Sequence, residues 1–174
     1  YNLLNRCIES IQNQTYLDYS IVVVDDNSDA EYKENLKQIE NKYSNVNVIY
    51  SSTHIDGGGC RNLGMKYNKN CEYTLFMDSD DYYCQNDVLQ KIHDLIIKDN
   101  YPDCVLCSFI IKKFGVETYY NLSFSDRYEM VSKFQSPWIA CVKTSLLFPF
   151  KENRKKFNDV IWFMKECDVF DINN

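Results

Sequence analysis

Tyr73-Thr74-Leu75-Phe76-Met77-Asp78-Ser79-Asp80-Asp81-Tyr82-Tyr83 starts as a short apolar strand and ends in three carboxylates within four positions. Open α/β sheets place their ligands beyond the C-terminal ends of strands, so acids here have a specific physical use. Asp78 and Asp80 share a face if the chain stays extended. They then form a hard oxygen site suited to Mg²⁺ or Mn²⁺. If the chain turns, they are ordinary loop acids, because Asp and Ser are also common turn residues.

Upstream, a second apolar run meets acids in the same way. Ile21-Val22-Val23-Val24 reads as a buried strand and stops at Asp25-Asp26-Asn27-Ser28-Asp29. A carboxylate at such a strand end can accept a hydrogen bond from a ribose hydroxyl or a base N–H, or it can simply cap the next helix. Helical spacing surrounds these strands. Leu3, Leu4, Cys7, Ile8 and Ile11 fall on one face, with Asn5, Arg6, Glu9, Gln12 and Asn13 mostly opposite, in a helix ending near Gln14-Thr15. Tyr32, Leu36, Ile39 and Tyr43 mark a second helix, which Asp29 could cap. Val46 to Tyr50 reads as a strand and Cys60 to Tyr67 as a helix. Val88, Leu89, Ile92, Leu95 and Ile96 mark another helix, starting at Asn86 or Asp87. Helix and strand alternate throughout, which predicts βαβ units and a mainly parallel sheet. The alternation also implies a first strand before Tyr1.

Between these elements, Ser51 to Gly59 reads as a polar loop. Four of the five glycines, Gly57, Gly58, Gly59 and Gly64, lie within eight positions. No Gly-Lys-Ser/Thr follows, and the spacing is not that of a dinucleotide fingerprint. Arg61 stands in the first turn of the next helix. A helix N-terminus with an arginine favours an anionic group such as a diphosphate, and a surface loop with a solvated arginine is the plainer alternative.

The second half is less regular. Asp103 to Lys113 and Val116 to Tyr120 read as strands of a hairpin turned at Phe114-Gly115. Asp126 to Phe134 reads as a helix, Pro137 to Val142 as a strand and Asn158 to Cys167 as a helix. Asp159 lies in that last helix's first turn, where a lone Asp is ordinarily a dipole-matching cap. His54 borders the glycine stretch, and His93 lies on a helix surface. At 174 residues and with no linker, repeat or low-complexity segment, the chain reads as one domain. A net charge of −6 and a pI near 4.9 argue against nucleic-acid binding and against a polybasic membrane anchor. No apolar run reaches the ~20 residues of a membrane-spanning helix, and no signal peptide is evident. The eight cysteines read as reduced, mostly buried thiols of a cytosolic protein. Cys104 and Cys107 have metal-site spacing but lie three apart on an apparent strand, where they face opposite ways.

Taken together, Tyr1-Asn2, Ser10-Ile11-Gln12-Asn13-Gln14-Thr15-Tyr16, Val24-Asp25-Asp26-Asn27-Ser28, Arg61-Asn62-Leu63-Gly64 and Asp78-Ser79-Asp80-Asp81-Tyr82-Tyr83 resemble glycosyltransferase family 2 in order and spacing. The resemblance is specific from Tyr1 to about Leu95 and thinner afterwards. It implies an α/β fold of GT-A type: a Rossmann-like, mainly parallel sheet flanked by helices. Residues 1–98 would form a nucleotide-sugar half, and 99–174 an acceptor half carrying the base.

By the same resemblance, Tyr1 would stack near the nucleotide base. Asp26 would hydrogen-bond base or ribose, with Asp25 and Ser28 of the same motif beside it. Arg61 would lie near the nucleotide, Asp78 near the ribose or the metal's water shell, and Asp80 on the Mg²⁺ or Mn²⁺ that bridges the diphosphate. Asp159 matches the family's catalytic base, although Asn158 stands where an acid usually precedes it. The implied reaction is metal-dependent inverting transfer from a nucleotide-diphosphate sugar, a UDP-sugar foremost, to a glycan or lipid-linked acceptor. It would take place in the cytoplasm or at the membrane face, with Trp138 and loops near Phe114 and Phe124 on the acceptor side. A truncated or inactive nucleotide-binding domain and a sugar nucleotidyltransferase are the competing readings.

Overall fold

The computed structural model describes residues 2–67, 70–120 and 139–150. The first half runs α1 (Asn2–Gln12), β1 (Ile21–Asp25), α2 (Ala30–Lys42), β2 (Val46–Tyr50), α3 (Asp56–Tyr67), β3 (Tyr73–Leu75) and α4 (Val88–Lys98). β4 (Cys104–Leu106), β5 (Phe109–Lys113), β6 (Val116–Tyr120) and β7 (Ala140–Lys143) follow, then a 3₁₀ turn at Thr144–Leu146. The alternation expected from hydrophobic spacing is therefore present, and the fold is the expected α/β one.

β1 and β2 pair in parallel, with Ile21 opposite Val46 and Asp25 opposite Tyr50. α2 makes the crossover and buries Leu36 and Ile39. Ile39 packs with Ile8 of α1 and Val46 of β2 in one apolar cluster. On α1 the buried stripe is narrower than the sequence suggests. Cys7 and Ile8 are buried, whereas Leu3 is 51% exposed.

β3 and β4 both pair antiparallel with β7, which lies between them. They therefore run in one direction and β7 in the other, a reversal within the expected parallel scheme. Hydrophobic pattern is blind to it, because a strand buried on both faces reads alike in either direction. Ala140, Cys141 and Val142 are all buried. Ile139, Ala140, Val142 and Phe150 form the main core cluster against Met65 and Phe76. Cys141 packs on the other side with Ile92, Ile96 and Val105.

The single strand expected from Asp103 to Lys113 is instead broken. Cys107 donates its N–H to the Ile139 carbonyl at 2.7 Å, and after Ser108 the chain leaves to form a separate hairpin of β5 and β6. Lys113 opposes Val116, so Phe114 and Gly115 form the two-residue turn, with φ of 51° and 79°. Tyr1, Phe124, Trp138, Asp159 and the helices expected at 126–134 and 158–167 lie outside the described residues.

Candidate active site

The turn after β1 is built by Asp25. Its carboxylate is buried and accepts the Ser28 N–H on both oxygens, at 3.3 and 3.2 Å. Asn27, at φ 59°, takes the left-handed conformation that Asn tolerates well. Asp25 and Ser28 thus shape the backbone that presents Asp26. The Asp26 carboxylate accepts the Ile55 N–H at 2.6 Å and lies 2.7 Å from His54 Nδ1. Cys60 also bonds to Asp26, and burial followed by this nearby charge pushes the Cys60 thiol up to about 11.

Ile55 and Cys60 flank the first turn of α3. The glycine triplet expected in a loop belongs to this helix instead, because Asp56 opens it. Asp56 adopts φ 61°, and its carboxylate caps the Gly59 N–H at 3.0 Å. Glycine in a helix costs about 1 kcal/mol relative to alanine, so Gly59 calls for a packing reason. A Cβ there would lie 2.9 Å from Ile55 Cβ, closer than atoms pack. Further along, a Cβ on Gly64 would sit 3.4 Å from Val24, so α3 lies close on β1.

α3 also reaches the second acidic cluster. Arg61 Nη2 donates to Asp78 Oδ1 at 2.8 Å, and the guanidinium sits 5.3 Å from the Phe150 ring centroid. From Ile55 to Arg61 is six residues, a rise of about 9 Å along a helix. One helix end therefore spans from Asp26 to Asp78. Asn62, the next residue, is buried and pairs with Phe150 in both directions. It donates to the Phe150 carbonyl at 2.8 Å and accepts the Phe150 N–H at 2.6 Å.

The acidic stretch turns rather than staying extended. Asp81 donates its N–H to the Asp78 carbonyl at 3.0 Å, with Ser79 and Asp80 between them. The alternating-face geometry for Asp78 and Asp80 is therefore not what joins them. Asp78 is held by Arg61, while the exposed Asp80 carboxylate has no hydrogen bond among the described residues. Burial raises the Asp81 carboxyl above its ordinary range, and the charges of Asp80 and Asp78 add to that, with Arg6 opposing. Three acids crowding one turn favour a hard cation, so the donor set fits Mg²⁺ or Mn²⁺. Among the described residues no three such side chains form a closed ligand cage. An ion held by one or two carboxylates plus substrate phosphates would need no such cage.

A family model described as Glycosyl transferase family 2 matches residues 1–164. The chain belongs to glycosyltransferase family 2. A poly(ribitol-phosphate) beta-glucosyltransferase from Bacillus spizizenii is 38% identical over 108 residues, which are 60% of this chain and 17% of that protein. The Escherichia coli UDP-Glc:alpha-D-GlcNAc-diphosphoundecaprenol beta-1,3-glucosyltransferase WfaP is 31% identical over 86 residues, 49% of this chain and 33% of that protein. The crystal structure of S. aureus TarS 1-349 superposes with a TM-score of 0.75 at 24% identity, covering 94% of this chain and 51% of that one. The same protein in complex with UDP gives 0.74 at 24% identity, covering 95% and 52%. This likeness shows the fold, the GT-A type. The chain spans well under two thirds of each of these proteins.

In this family 2 domain, α1 and the residues just after it hold the chain that follows the acidic turn. Ser10 Oγ accepts the Tyr83 N–H at 3.0 Å. Gln14 is buried, donates to the Gln85 carbonyl at 2.7 Å and accepts the Leu89 N–H at 3.0 Å. Both stand in the Ser10 to Tyr16 stretch that carries the family resemblance, but no role followed for either from sequence; Ser10 is on α1 and Gln14 lies two residues past its end. A cavity of about 840 Å³ lies elsewhere, lined by Met65, Lys66, Glu72, Lys143 and Leu147 among others. It contains none of the acids singled out from sequence.

Proposed function

We propose that this chain is the donor-binding and catalytic domain of a metal-dependent, inverting glycosyltransferase. It moves a sugar from a UDP-sugar to a hydroxyl of a glycan or lipid-linked acceptor, in polysaccharide or glycoconjugate synthesis at the cytoplasmic membrane face. The observation that carries this reading is α3, which begins against Asp26 and meets Asp78 through Arg61. A nucleoside diphosphate presents a hydrogen-bonding base and ribose at one end and an anionic diphosphate at the other, which suits that span. UDP as the nucleotide is supported by a complex of UDP with a protein of the same fold, TarS, and by the donor in the name of the E. coli relative.

In the proposed reaction, Asp26 accepts from the base or ribose while Asp25 and Ser28 hold its turn. Tyr1 stacks on the base. Arg61 supplies positive charge beside the diphosphate and keeps Asp78 aligned toward the ribose. Mg²⁺ or Mn²⁺, held by Asp80 with Asp78 nearby, would supply the charge that stabilises the departing diphosphate. Asp159 takes the proton from the acceptor hydroxyl as its oxygen attacks the anomeric carbon. The bond from that carbon to the diphosphate oxygen breaks, UDP leaves, and the configuration inverts. No covalent nucleophile enters.

A panel of nucleotide sugars, incubated with Mn²⁺ and lipid-linked or oligosaccharide acceptors, tests this reading. The expected result is UDP release and sugar transfer, with Asp159→Asn keeping UDP binding while losing about 10²-fold or more in turnover. Release of pyrophosphate would identify a nucleotidyltransferase instead. UDP binding without transfer to any acceptor would identify an inactive binding domain.

A further inference from the structure

We propose that Arg6 is a positioning residue for the acidic turn, holding Asp80 in place through the backbone without touching substrate. This rests on reading that turn as the donor-diphosphate site. Arg6 is exposed on α1, as helical spacing assigns, and from there its side chain reaches the acidic turn. Nη2 donates to the Asp80 backbone carbonyl at 2.7 Å, 74 positions away. The same guanidinium lies 4.1 Å from the centroid of the Tyr82 ring. One side chain thus grips the residues on either side of Asp81.

A guanidinium is suited to this because it donates in its plane and stacks through its face at once, which an ammonium cannot do. Its neighbours make α1 a straight edge along the turn. Buried Cys7 points its thiol at the Asp78 carbonyl, 3.8 Å away, and Ser10 accepts the Tyr83 N–H. Asp78, Asp80 and Tyr83 are therefore all tied by their backbone to two turns of one helix. The Asp80 carboxylate, in contrast, makes no hydrogen bond among the described residues, and the contact from Arg6 holds the backbone from which it projects. Arg6 also brings a positive charge to a turn with three acids while leaving all three carboxylates without a direct bond to it.

The test compares wild type with Arg6→Gln and Arg6→Lys. In hydrogen exchange on the unliganded chain, amides of residues 79–83 exchange faster in Arg6→Gln while those of β1 and β2 are unchanged. In UDP titrations, Arg6→Gln shifts the Mn²⁺ concentration for half-maximal binding upward by about tenfold, the scale seen when an outer-shell partner of a metal site is removed. Arg6→Lys keeps the charge but loses the stack, and recovers part of that shift. Wild-type exchange at 79–83 in Arg6→Gln would overturn the proposal whatever the ligand. Faster exchange with an unchanged Mn²⁺ midpoint would also overturn it, since Arg6 would then be structural only. If wild type fails to bind UDP with Mn²⁺, the donor-site reading falls, and the exchange measurement alone decides whether Arg6 holds the turn.

Discussion

Asn62 satisfies both backbone groups of a residue 88 positions away, and no periodicity argument could have found it. A polar residue in mid-helix reads as solvent-facing until its partner is known. Removing the amide leaves a buried donor and a buried acceptor unpaired, and each costs about 1–3 kcal/mol. Asn62→Leu is therefore expected to lower unfolding stability by about 2–6 kcal/mol in urea titrations, and Asn62→Asp is expected to be no milder at neutral pH, because its buried carboxylate keeps the acceptor but sets an oxygen against the Phe150 carbonyl. At this scale the sequence singled out Asp26, Arg61 and Asp78 as candidates. Asp26 is bonded at the residue before α3, and Arg61, in the helix's second turn, pairs with Asp78. The sequence did not reveal Arg6, Ser10 or Gln14, whose partners are backbone groups some seventy positions away. Backbone partners leave no mark on composition.

Among the elements, α1 and α4 were legible from apolar spacing, and β1 from its run of valines. α3 was legible only in part. Its glycines argued for a loop by propensity, but capping by Asp56 and the close approach of Gly59 to Ile55 override that preference. The β5–β6 hairpin was legible from Phe114-Gly115, and its turn carries a local cost. Two-residue hairpin loops with positive φ at both positions favour Asn-Gly. Phe114 occupies the first of these at φ 51° with its side chain 95% exposed, so it gains little packing in return. Phe114→Asn is expected to stabilise the hairpin by up to about 1 kcal/mol, seen as a raised unfolding midpoint in thermal or chemical denaturation.

Over the whole molecule, the order of elements predicted the α/β architecture, because alternating helices and strands leave few other solutions. The reversed β7 and the break after β4 were not legible. Both depend on which strands pair, and pairing is set by contacts far apart in sequence. The two acidic strand ends were expected to serve one ligand, and α3 supplies the physical link between them. That link is the central claim: Asp26, Arg61, Asp78 and Asp80 act as one nucleotide-diphosphate site that depends on a divalent ion. Calorimetric titration of UDP into the protein, with Mn²⁺ or with EDTA, and repeated on Asp80→Asn, tests it most directly. The account predicts binding that is lost in EDTA and weakened about tenfold or more by Asp80→Asn even with Mn²⁺ present. UDP affinity unaffected by both EDTA and Asp80→Asn would contradict it.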